Sequence, residues 1–153
     1  MTVGGFKELL VWRQGIALVQ EAYALTADYP RSEQFGLTSQ MRRAAVAIPA
    51  NIAEESGRGT RKDFQQFLRI ALGSLRGLET YLVLAVELGY SSEERLAGCL
   101  PGVGSVGRLL QRLIESLDVK APTSDIVREL QALYGEEDQC STDDEEVGHI
   151  VPT

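Results

Sequence analysis

Histidine and cysteine are almost missing from this chain. Its 153 residues include one histidine, His149, and two cysteines, Cys99 and Cys140. His149 lies in a polar C-terminal segment, which argues against a histidine base and against a histidine-ligated metal. Neither cysteine has a CxxC neighbour, so two reduced thiols in a cytoplasmic chain are the simplest reading. No metal and no cofactor is expected. An uninterrupted run of about 18 apolar residues is lacking too, so no membrane partner is expected. The N-terminal "MTVGGFKELLVWRQG" lacks the basic-then-apolar order of a secretory signal. "GRGTRK" at 57–62 has glycines and bases without the G-x-x-x-x-G-K-[ST] spacing of a phosphate-binding loop. No segment alternates convincingly as a strand would.

What is present is helical periodicity. Leu9, Trp12, Ile16, Val19 and Tyr23 step by three and four. They predict a first helix from near Phe6 that stops before Pro30, because proline pushes its predecessor out of helical geometry. Leu37, Met41, Ala44, Ile48 and Ile52 form a second stripe, closed at Gly57 and Gly59. Thr60 with Asp63 suits the cap of a third helix. There Phe64, Phe67, Ala71, Leu75, Leu78, Leu82 and Ala85 keep a heptad repeat until Gly89. Leu68, Leu72 and Val86 widen that apolar arc, which fits either a central position or a face turned to a second subunit. "SSEE" at 91–94 has capping-box spacing for a fourth helix carrying Leu96, Leu100, Val103, Val106, Leu110, Leu113 and Leu117. An interior proline costs about 3 kcal/mol and each glycine roughly 1 kcal/mol. Pro101 among Gly98, Gly102, Gly104 and Gly107 therefore predicts a kink or fray, with a sound helix from Ser105 to Leu117.

These patterns predict an all-α fold, an antiparallel up-down-up-down four-helix bundle over residues 1–118. Residues 119–153 read as an acidic tail with one short helix over 124–134 and disorder beyond. The charge divides the same way. Residues 118–153 hold ten acids and two bases, leaving 13 bases and 12 acids in residues 1–117. The overall charge of −7 thus belongs to the tail, and residues 37–80 are locally basic, with seven bases against four acids. That permits contact with a polyanion without demanding it.

The polar residues of "IPANIAEESGRGTR" at 48–61 invite an enzymatic reading that fails. Adjacent Glu54 and Glu55 point about 100° apart on a helix, so they cannot flank one bond. The Glu-x-x-His pairs of di-metal bundles are lacking, and a hydrolase using Glu54 or Glu79 has no supporting constellation. No catalytic residue is assigned, and the protein reads as a non-enzyme. Asn51 and Glu54 read instead as polar groups at the core edge. Arg43 is placed to pair with a carboxylate on another helix, such as Glu79, fixing register or assembly. Pro49 frees the Ala45 carbonyl and bends its helix. Lys62, Arg69 and Arg76 recur every seven residues and share a face. With Arg58 and Arg61 just before them, they are the candidates for nucleic-acid contact. The alternative is a solvated face with stems lying along the helix, since no aromatics interleave to stack bases.

"FKELLVWRQGIALVQEAYALT", "YPRSEQFGLTSQMRRAAVAIPANIAE" and "FLRIALGSLRGLETYLVLAVELGY" resemble the family of 23S rRNA intervening-sequence proteins. The resemblance runs from Phe6 to Tyr90. Arg42, Arg43, Pro49, Asn51, Glu54, Gly73, Ser74 and Glu79 stand in its motif positions. It implies a four-helix bundle assembled as a ring-like homopentamer, with some members encoded inside insertions in ribosomal RNA genes. A related branch, accessory proteins of diversity-generating retroelements, implies binding of RNA or DNA and a reverse transcriptase. The family brings no catalytic residues. This chain departs from its pattern at Glu55, where glycine is usual, at Gly77, where glutamate is usual, and in its acidic tail. The function expected is an oligomeric binding or scaffolding module for nucleic acid or a nucleoprotein. The rival is a protein–protein adaptor with no nucleic-acid role.

Overall fold

The computed structural model describes residues 9–54 and 60–118. Among them are four α-helices and no strand: α1 Leu10–Thr26, α2 Leu37–Glu54, α3 Arg61–Glu87 and α4 Glu93–Ser116, with a 3-10 turn, Arg31–Glu33, ahead of α2. None is long and apolar enough to cross a membrane. The expected start near Phe6, the closure at Gly57 and Gly59, and the tail with its helix over 124–134 lie outside the described residues.

The four helices share one apolar core. In α1 the buried residues are Val11, Gly15, Leu18, Ala22, Leu25 and Thr26. Trp12, Ile16 and Val19 are half-buried, and Tyr23 is 44% exposed. The core face is therefore turned by about one residue, roughly 100°, from the expected stripe. The cause is close packing on α2. A Cβ on Gly15 would lie 3.5 Å from both Ile48 and Pro49, so the smallest residue of α1 marks its nearest approach. Its bulky aromatics stand at the flanks.

In α2, Met41, Ala45, Ile48 and Ile52 are fully buried, and the helix runs unbroken through Pro49. In α3 the heptad residues Phe64, Ala71, Leu75, Leu78, Leu82 and Ala85 are buried with Leu68, while Phe67 is half-buried. Thr60 and Asp63 form a reciprocal capping box at its start. Beyond its end Gly89 takes a left-handed φ of +84°, a conformation costly for a side chain bearing Cβ.

The capping box expected for α4 and a fray at Pro101 are corrected. Its N-cap is Ser92, whose Oγ accepts from Arg95 N at 3.1 Å. The third helical residue is thus Arg95, and the Ser91–Glu94 spacing makes no box. The helix also continues through Pro101 without a break. Pro101 faces solvent, while Cys99, Val103, Val106, Leu110 and Leu113 are buried on the opposite side. Packing of that apolar face carries the helix past one missing hydrogen bond.

Polar ties fix the helix ends. Arg42 Nε donates to Thr26 Oγ1 at 2.8 Å, Thr26 Oγ1 donates to the Ala22 carbonyl, and the guanidinium lies 4.4 Å from the centre of the Tyr23 ring. Glu33 Oε1 accepts from the first backbone N–H of α2, at Leu37, and Oε2 accepts from the Tyr90 hydroxyl, both at 2.8 Å. Those two bonds, the Leu37 one foremost, hold the Glu33 carboxyl below its ordinary value of 4.5. A lowered folded-state pKa gives stability that is present above the ordinary value and lost as pH falls through the folded one. Glu33→Gln is expected to lower the thermal midpoint at pH 7 and to weaken its fall on acidification. Thermal unfolding followed at stepped pH measures both.

Candidate nucleic-acid interface

α3 presents two parallel outward stripes. Lys62, Arg69 and Arg76 are exposed, and their heptad spacing sets them about 10 Å apart along the axis. Each of the next residues at Ile70 and Gly77, and then Leu84, lies about 100° further round. Ile70, Val83 and Leu84 are 41–46% exposed and Leu88 is 53% exposed, and nothing lies within 4 Å of a Cβ built on Gly73. The outer face of α3 thus carries a basic stripe beside an apolar one.

The basic stripe begins next to the C-terminal end of α4. Gln65 Nε2 donates to the Ile114 carbonyl at 2.9 Å and to Asp118 Oδ1 at 2.7 Å. At its far end Arg76 faces Glu79 at 3.5 Å, with the Arg76 side chain largely in solvent and that of Glu79 partly so. Such a pair contributes about 0–1 kcal/mol and leaves the guanidinium available to a stronger anion. Arg61, the first residue of α3, is half-buried. Arg58 lies outside the described residues, as does Glu55.

The polar residues expected at an assembly point do not converge. Arg43 is exposed on α2, and the expected pairing with Glu79 is replaced by Arg76–Glu79 within α3. A partner one turn away on the same helix is reached with no demand on interhelix geometry. Asn51 is half-buried and donates through Nδ2 to the Ala47 carbonyl at 2.7 Å. This local back-bond satisfies the amide on its own helix. Glu54 is exposed at the last residue of α2.

Other chemistry has little to stand on among the described residues. They hold no group of three potential metal-ligating side chains. Burial, and then the nearby Glu21 carboxylate, push the Cys99 thiol up from its ordinary value, which keeps it protonated and a poor nucleophile. One constellation escaped the pattern reading: Gln14, Ser105, Arg108 and Arg112 line a cleft between α1 and α4. Its sequence signal is the four-residue spacing of the two arginines, which the run of α4 glycines obscures.

The family model of the 23S rRNA-intervening sequence protein matches residues 7–112. No curated protein matches the chain. A match across most of the chain, spanning all but the last turn of the four helices just described, makes this protein a member of the 23S rRNA-intervening sequence protein family.

Proposed function

We propose that the protein is a non-enzymatic, cytoplasmic binding or scaffolding module that assembles with copies of itself and binds RNA, DNA or a nucleoprotein through the Lys62–Arg69–Arg76 stripe. Its four helices form an antiparallel up-down-up-down bundle. Supporting that order, Gly15 lies by Ile48 and Pro49 while Thr26 bonds Arg42, and Gln14 bonds Ser105 while Asp28 meets Arg95. In each pair of helices, contacts advance along one as they recede along the other.

The assembly is a ring-like homopentamer, the state implied by the family resemblance. The apolar stripe of Ile70, Leu84 and Leu88 supports self-association, because a monomer would leave it in water. The observation carrying the nucleic-acid reading is the exposure of three bases in line on one rigid helix. Phosphate contacts from such a line position a polyanion without reading its sequence. Anisotropy titrations of a labelled RNA at several salt concentrations test this. A purely protein-binding adaptor is the second reading, favoured by the same apolar stripe, and predicts no salt-dependent RNA binding.

A further inference from the structure

We infer that the nucleic-acid strand runs in the seam between α3 and α4, with Arg108 of α4 as a further phosphate contact beside Arg76. This path rests on the nucleic-acid reading of the α3 stripe and extends it to a second helix. Two residues of α3 reach α4. Gln65 bonds the Ile114 carbonyl and Asp118, and a Cβ on Gly107 of α4 would sit 3.6 Å from Arg76 Nη1. The basic stripe therefore follows the α4 side of α3, turned away from the apolar side of Ile70 and Leu84.

Arg108 comes to the same seam from α4. It is exposed, and a Cβ on Gly104 would sit 3.3 Å from its Nη1. At 100° per residue, Gly104 falls between Gly107 and Arg108 around the helix, so the Arg108 side chain leans toward α3. Cβ positions three residues apart are about 5–6 Å from one another. The guanidinium groups of Arg76 and Arg108 thus overhang neighbouring points of one helix face, and neither glycine puts a side chain between them. Guanidinium groups only donate, and their planar forks match phosphate oxygens. Among the described residues no carboxylate pairs with Arg108. The Arg76–Glu79 contact is long, at 3.5 Å, and surface pairs of this kind are weak enough for a phosphate to displace. Glu115 and Asp118 accept from Gln111 and Gln65 and stand about three turns from Gly104 and Gly107 respectively. Gln65, Gly104 and Gln111 flank the bases with polar or bare positions, which suit a phosphate backbone better than the apolar anchors of a peptide.

Anisotropy titration of the full chain with a labelled single-stranded RNA at several salt concentrations tests the path. Arg108→Gln is expected to weaken binding about tenfold at low salt and to flatten the slope of log affinity against log salt by about 0.7. Arg31→Gln makes the same charge loss at an exposed site in the turn ahead of α2 and should leave the slope unchanged. Gly104→Leu keeps the charge but fills the space beside Arg108. It should weaken binding without lowering the thermal midpoint, because leucine favours helix over glycine. Circular dichroism verifies that the variants fold. If Arg108→Gln behaves like Arg31→Gln while Lys62→Gln is weakened and flattened, the strand stays on α3 and this path alone is overturned. An absence of salt-dependent RNA binding by the wild type overturns it together with the stripe reading. Arg108-dependent binding of polyglutamate without binding of RNA assigns the seam to an acidic protein and also overturns it.

Discussion

Replacing Lys62, Arg69 and Arg76 together by glutamate is expected to lower RNA affinity about a hundredfold or more at low salt. The loss has two parts. Three attractive contacts disappear, and three repulsive charges take their place on the same face. Each phosphate neutralised on a single strand contributes roughly 0.7 to the slope of log affinity against log salt. The triple substitution should therefore flatten that slope by about 2. The glutamine triple variant, which removes attraction without adding repulsion, should lose less affinity and show a similar flattening. The three side chains are exposed, so the fold should survive both changes. The tail provides an independent check. Residues 135–153 contain seven acids and no lysine or arginine, and like charge opposes an incoming polyanion. Truncation before Gly135 should raise affinity, most visibly at low salt. Unchanged affinity and slope in the glutamate variant would reduce the stripe to solvated surface, its methylenes lying along the helix.

Phe64→Ala is expected to destabilise the fold by about 3–5 kcal/mol, while Phe35→Ala should change it by no more than about 0.5 kcal/mol. The same chemical truncation is made in both. Phe64 is 0% exposed and Phe35 is 88% exposed. At Phe64 the loss combines the transfer of a ring to water with a cavity that its neighbours fill only partly. The position matters as well, because Phe64 follows the Thr60–Asp63 capping box and anchors the first turn of α3 in the core. Domains of this size are stable by only about 5–15 kcal/mol, so the variant should unfold at markedly lower urea. The comparison has to be made at equal protein concentration, because subunit association adds to apparent stability.

The third helix was the most legible part of the chain. Most of its heptad apolar residues are large, and its start and end carry the specific chemistry of Thr60–Asp63 and Gly89. The first helix was less legible because apolar residues occupy two neighbouring faces. Hydrophobic size favours Trp12 and Tyr23, but close approach to α2 favours Gly15 and Ala22, and packing decided the phase. Propensity alone would fray α4 at Pro101. It penalises Pro101 locally, whereas burial along the opposite face is collective. For the site, the exposed line of Lys62, Arg69 and Arg76 follows directly from spacing. Side-chain pairing did not follow, since Arg76 takes Glu79 on its own helix and Asn51 turns back to Ala47. The Arg108–Arg112 cleft depends on where α1 crosses α4, information that no single helix contains.

Self-association through the outer face of α3 is the claim on which the scaffold reading rests. Size-exclusion chromatography with light scattering tests it most directly. The expected particle is near five times the 16.7 kDa protomer mass, and it should collapse to the protomer mass when Ile70 and Leu84 are both changed to glutamate. A wild-type particle of protomer mass, or an unchanged assembly in that variant, would contradict it.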